Sequence, residues 1–248
     1  MARARADSQG AGMTFDVKFL CRGLFAVFGI LLLASLLAQT QLVDENHRYI
    51  IRLANLFYFG GENNFPTAFS SFLLLFSAGL FLLFGRLEYR EQGYWNLLGF
   101  IFACLAMDEA FEFHESLTSP MQKLLGPGDL GIFHYAWVIP GALAVLLLAS
   151  VLFRFWWRQE RLRWSLLLAA VVFLSGALGV EALGGRYMEQ HGAMDHSYRL
   201  MTQVEESLEM LGVLLLIRTL LSHLAKYHGT LTLQLICSGK SEGAELFR

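Results

Sequence analysis

The chain has 248 residues, 55% of them hydrophobic and 16% charged, with a formal net charge of −2. That charge content lies well below the roughly 25% of an ordinary soluble domain, and so apolar a chain is not intrinsically disordered. A pI of 6.4 argues against nucleic-acid binding, and three separated cysteines, Cys21, Cys104 and Cys237, exclude a disulfide scaffold or a zinc finger. A polytopic membrane protein is the class that remains.

A helix that crosses a bilayer takes about 20 mostly apolar residues. Six stretches meet or approach that length, and they predict an all-α bundle of six transmembrane helices. The first covers roughly 19–39 and reads as a retained helix, because no small-residue cleavage pattern follows it. Residues 44–59 mix Arg48 and Arg52 with Tyr49, Ile50, Leu53 and Phe57, a pattern for a short helix lying at the outer interface. Gly60-Gly61-Glu62-Asn63-Asn64 is a turn, and the second helix opens at Phe65-Pro66-Thr67 and runs to about 85. The third extends from Tyr94 to about His114; a turn at Leu125-Gly126-Pro127-Gly128-Asp129 precedes the fourth, at 133–156. The fifth covers 164–184 and the sixth 199–223. The domain plan is a tail at 1–18, a membrane domain at 19–226 and a second tail at 227–248.

Lys and Arg placement sets the orientation. With both termini cytoplasmic, the outside holds only Arg48, Arg52, Lys123, Arg186 and Arg199 of the 19 basic residues. This orientation, in a bacterial inner membrane, puts the outer half on the periplasmic side.

Charged groups inside spans are costly and mark function. Asp108, Glu109, Glu112, His114 and Glu115 fall in the third helix, Glu181 in the fifth, and Glu205, Glu206 and Glu209 in the sixth. The orientation collects all of them in the outer half, with His134, Glu62, Asn64 and Thr202 nearby as supporting residues. Asp108-Glu109-x-x-Glu112 and Glu205-Glu206-x-x-Glu209 share an acid-acid-x-x-acid pattern on antiparallel helices. Facing carboxylates of this kind hold paired iron or manganese ions in helical bundles. On one continuous helix Asp108, Glu112 and Glu115 lie within about 60° of one another, while His114 points about 160° from Glu112. All-oxygen ligands would also suit calcium, and zinc stays open. The bland alternative is that both helices protrude and their acids are solvated. Against it, Glu209 lies about 14 Å from Arg218 along a helix, near the middle of a roughly 30 Å hydrocarbon core.

Lesser features carry structural readings. His191 and His196 read as solvated loop residues. The tryptophans Trp95, Trp137, Trp156, Trp157 and Trp164 read as interfacial belt residues. Gly176, Gly179 and Gly184 permit close helix packing.

The ordered set Gly61-Glu62-x-Asn64-x-Pro66-Thr67, Asp108-Glu109-(four residues)-His114-Glu115, Gly179-Val180-Glu181 and Glu205-Glu206-x-Leu208-Glu209-Met210-x-Gly212 resembles an uncharacterised family of bacterial multipass membrane proteins. The resemblance implies that these acids and His114 belong together. It implies no activity. A distant comparison is the membrane hydrolase superfamily of alkaline ceramidases and adiponectin receptors, whose three-histidine zinc pattern is missing here.

The functional expectation is a protein that binds one or two divalent metal ions, with iron or manganese favoured. It would serve as a metalloenzyme acting on a membrane lipid or other amphiphile, either a di-iron oxidoreductase or a metal-dependent hydrolase. The alternatives are a proton- or cation-coupled transporter and a non-catalytic subunit of a membrane complex. The inner halves offer few polar residues for an exit path, which ranks transport second.

Overall fold

The computed structural model describes residues 16–41, 48–126, 128–192 and 195–227. Most of both predicted tails, and Pro127 of the second predicted turn, lie outside these residues. Among them the chain is all-helical: α1 (Val17–Gln41), α2 (Arg48–Asn55), α3 (Phe65–Leu87), α4 (Gln92–Phe111), α5 (Phe113–Leu125), α6 (Val138–Arg158), α7 (Arg163–Leu174), α8 (Glu181–His191) and α9 (His196–Tyr227). Five helical stretches are long and apolar enough to cross a membrane: 17–40, 65–87, 138–158, 163–191 and 196–227.

α3 starts where Asn64 caps it. The Asn64 side chain accepts from Thr67 N, and its amide nitrogen donates to the carbonyls of Asn55, Tyr58 and Gly61. Pro66 sits in the first turn, where a missing N–H costs nothing. α3 and α4 form the most extensive helix pair, with Phe81, Phe84 and Trp95 fully buried between them.

The third predicted helix does not run on to His114. It breaks at Glu112, whose φ of 54° and ψ of 41° are left-handed. The Asp108 side chain causes the break by offering the backbone a competing acceptor. Its Oδ1 takes the N–H of His114 at 2.9 Å, in the first turn of α5. The expected stripe of Asp108, Glu112 and Glu115 on one helix is therefore replaced by a corner.

The fifth predicted helix extends past 184 to His191 through a π-helical segment at Ser175–Val180. This segment and α7 pack on α9 at two glycines. A Cβ at Gly176 would fall 2.6 Å from the Glu205 carbonyl oxygen, and one at Gly212 would fall 2.6 Å from Phe173 N. Gly179, expected to pack closely with Gly176, has nothing within 4 Å, and Gly184 makes only ordinary contact with Tyr198.

α1 is tied to α9 by a buried polar knot. The Gln203 side-chain Oε1 accepts from Ser35 Oγ and from Gln39 Nε2, and Ser35 Oγ accepts from Phe59 N. α6 is held at its two ends and little between. Trp137, just before it, bonds Glu181. At its far end Phe155 stacks on Tyr94 and meets Trp95 edge to face, and Arg158 pairs with Glu91. In its middle Leu143, Leu146 and Leu147 are exposed.

Candidate metal centre

The corner between α4 and α5 turns His114 back onto Asp108. Asp108 Oδ2 lies 2.7 Å from His114 Nδ1, which leaves Nε2 as the nitrogen able to ligate an ion. A carboxylate that fixes the far nitrogen of a histidine is the usual support for a metal ligand. The imidazole stands 4.6 Å from the Trp137 ring. Trp137 Nε1 donates to Glu181 Oε1 at 2.9 Å, and Glu181 in turn shares a hydrogen bond with Glu205. Glu109 takes a hydrogen bond from the buried Ser70 of α3. It also lies within electrostatic range of Glu206 and Glu209 on α9.

Among the described residues, Glu62, Glu112 and Glu115 form the group whose carboxylate oxygens all lie within 4.8 Å of one another. Their convergence depends on two left-handed residues, Asn63 beside Glu62 and Glu112 itself. Burial raises Glu115 above the ordinary carboxylate range, the charge of His114 opposes that rise, and the charges of Glu62 and Glu181 add to it. Three carboxylates so close repel, and a bound cation or protons must offset the repulsion.

Asp108, Glu109, Glu112, His114, Glu115, Glu181, Glu205, Glu206 and Glu209 all line one cavity of about 1800 Å³, together with Glu62 and Thr202. α4 and α9 thus present their acids to a shared space. The α9 acids are not part of the close carboxylate group, and Glu62, expected only as support, is. Two other supporting residues have different work. Asn64 is spent on capping α3. His134 bonds Glu189 through Nδ1, and its carbonyl accepts from Gln122 Nε2; it holds α5 to α8 and does not line the cavity. His191 stacks on Tyr187 and bonds its carbonyl, and His196 is exposed.

A family model described as a domain of unknown function (DUF8692) matches residues 24–224. The chain belongs to this family. No curated protein and no solved structure matches it.

The matched span takes in every residue of the cavity's acidic wall. Four other residues of the cavity wall lie outside the expected site set. Trp137 was read as a belt residue, yet it links His114 to Glu181. Tyr135 and Tyr198 bond each other through their hydroxyls at 2.6 Å. Arg199 was counted only as an orientation charge, yet it lines the cavity. No local signal separates Trp137 from a belt tryptophan. For Tyr198 and Arg199 the signal is their position, in line with Thr202, Glu205 and Glu206 on the first turns of α9.

Proposed function

We propose that the protein is a metal-dependent integral membrane protein, and that it acts as an enzyme on a lipid or amphiphile. The full proposal is a bundle of six spans, with α4 as the sixth, and both termini in the cytoplasm. The acidic cavity then faces the periplasmic side of a bacterial inner membrane.

One observation carries the reading. Asp108 fixes His114 beside three converging carboxylates, on the wall of a cavity that continues between apolar helices. Glu62, Glu112 and Glu115 would supply the carboxylate oxygens, and His114 Nε2, on the same cavity wall but outside that close group, would complete a mixed nitrogen–oxygen set of the kind that suits iron, manganese or zinc better than calcium. Such an ion polarises a carbonyl or phosphoryl oxygen or activates water, and iron adds oxygen chemistry. Asp108 orients His114. Glu181 and Glu205 lie within hydrogen-bonding reach of each other, so they are placed to hold or pass a proton beside the ligands. Trp137 keeps Glu181 in position.

Elemental analysis of protein purified without chelators tests the reading. Close to one or two transition-metal ions per chain are expected. His114→Ala and Glu112→Ala should lose the ion, and Asp108→Ala should weaken its binding about 10–100-fold. Arg158→Ala, at the opposite end of α6, should leave it unchanged. Wild-type protein with its fold intact and no bound metal would overturn the reading. Proton- or cation-coupled transport is the second reading, favoured by the Glu181–Glu205 pair. Cation flux into sealed vesicles that is lost in Glu205→Gln would put it first.

A further inference from the structure

The cavity has two unlike ends. Its acidic end is walled by the residues described above. Away from it, the lining turns wholly apolar: Leu98, Phe102 and Leu105 of α4 lie on one side, and Val145, Leu148 and Leu152 of α6 on the other. α6 is fastened at Trp137 and at Phe155 and stands off between them. Cavity-lining residues of α6 run from Gly141 to Trp156, roughly 22 Å at 1.5 Å per residue. That exceeds the roughly 15 Å covered by one leaflet of a 30 Å core. An apolar slot of this length, opening where α4 and α6 part, is matched by a hydrocarbon chain.

The other end carries a cation, Arg199, with no ion-pair partner among the described residues. Arg199 is half-buried in the first turn of α9 and lines the same cavity. Among the described residues it forms no ion pair, although the cavity wall is rich in carboxylates; the pairs present are Asp108–His114, His134–Glu189, Glu91–Arg158 and Glu88–His223. Its near neighbour is the Tyr58 phenol, which burial pushes up to about 12 and the Arg199 charge draws back. Tyr58 therefore stays neutral and able to donate. Thr202 stands one turn further along α9, against Gly60, where a Cβ would fall 2.8 Å from Thr202 Cγ2 and 2.7 Å from Tyr58 Oη. A guanidinium and a phenol thus border this end with donors, while the Thr202 hydroxyl is spent on the Tyr198 carbonyl; a half-buried Arg presents a fork that fits phosphate oxygens.

We infer that the cavity takes an anionic phospholipid, with its phosphate at Arg199 and Tyr58 and one acyl chain in the slot between α4 and α6. The inference rests on the metal reading, because carboxylates without a cation would repel the phosphate. A bound ion at Glu62, Glu112, Glu115 and His114 offsets their charge and leaves Arg199 to select the head.

The test measures lipid binding and metal content on the same samples. Full-length protein in detergent is titrated with dioleoyl phosphatidylglycerol, dioleoyl phosphatidylcholine and glycerol phosphate, and complexes are counted by native mass spectrometry. Phosphatidylglycerol should bind at least about tenfold tighter than phosphatidylcholine, the scale of one charge-assisted contact, and glycerol phosphate should not bind. Arg199→Gln should abolish the preference with metal content unchanged, and Arg199→Lys should keep part of it. Arg52→Gln, exposed on α2 and away from the cavity, should keep all of it. Leu148→Trp, which fills the slot, should weaken both lipids together. Equal binding of the two lipids by metal-loaded wild type, or an unchanged preference in Arg199→Gln, would overturn the inference. Binding of glycerol phosphate as tight as that of the lipid would assign the site to a soluble anion and also overturn it. A chain that stays dimeric when delipidated and takes neither lipid would give the slot to a second copy. Wild type with neither bound metal nor a phosphatidylglycerol preference would strike the metal reading, and the inference with it, whereas metal-loaded wild type without the preference overturns the lipid site alone.

Discussion

Glu115 shows how much of the acidic wall depends on what fills it. Its carboxyl is raised above the ordinary range, first by burial, against the opposing charge of His114 and with the charges of Glu62 and Glu181. A carboxyl raised on folding binds its proton more tightly in the folded chain. Between the unfolded value, about 4.3, and the folded one, stability falls as pH rises, because the folded chain then holds the proton that the unfolded chain has lost. Chelator-treated Glu115→Gln should therefore match chelator-treated wild type near pH 4 and become the more stable of the two as pH rises toward neutral. Thermal unfolding followed across that range checks it. A variant that is less stable than wild type at neutral pH would show that the carboxylate has a stabilising partner even without added metal.

At the scale of the helix, two close approaches hold the membrane-buried walls together. The amide of Phe173 faces Gly212, and the carbonyl of Glu205 faces Gly176. Gly212→Val should cost about 1–3 kcal/mol or more, because backbone cannot yield as a flexible side chain can. Gly179→Ala, with open space around it, should change stability little or raise it through helix propensity. Detergent-phase thermal melts of the two variants give the comparison. The same region shows what the sequence could and could not disclose. Hydrophobic length located α1, α3, α6 and α9 to within a few residues, except that α6 starts later than expected. The acids of both clusters line one cavity. The break at Glu112 was not legible, because no Gly or Pro marks it. It comes from a side-chain bond between Asp108 and an amide six residues on, and no propensity or periodicity registers that. The geometric conflict between His114 and the acid stripe, computed for a straight helix, was the one trace of it. The π segment was equally hidden, since its residues read as an ordinary apolar run.

Across the whole molecule, polarity is divided by end. The carboxylates, Arg199 and the tyrosine pair gather at one end of the helices; the other end carries Arg154, Arg158, Arg161 and Arg163, with Arg161 over the Tyr227 ring. This division is what the positive-inside argument rests on. In a cysteine-free background, Tyr49→Cys on α2 and Glu160→Cys between α6 and α7 should respond oppositely to an impermeant thiol reagent added to intact cells. Position 49 should label and position 160 should not. The reverse pattern would invert the proposed orientation and move the cavity mouth to the cytoplasm.

The π segment at Ser175–Val180 carries a consequence for how the chain tolerates changes in length. A π turn holds one residue more than an α turn covering the same rise. Losing a single codon there, for instance that of Gly179, would let the helix relax to regular α geometry with everything downstream nearly in place, whereas gaining one that no further π turn absorbs would turn everything downstream by about 100°. Glu181 would then swing away from Trp137 and Glu205, and the Gly185 contact with Tyr135 and His134 would be lost with it. Every side chain of the acidic wall would remain in the gene, yet the wall would no longer be assembled.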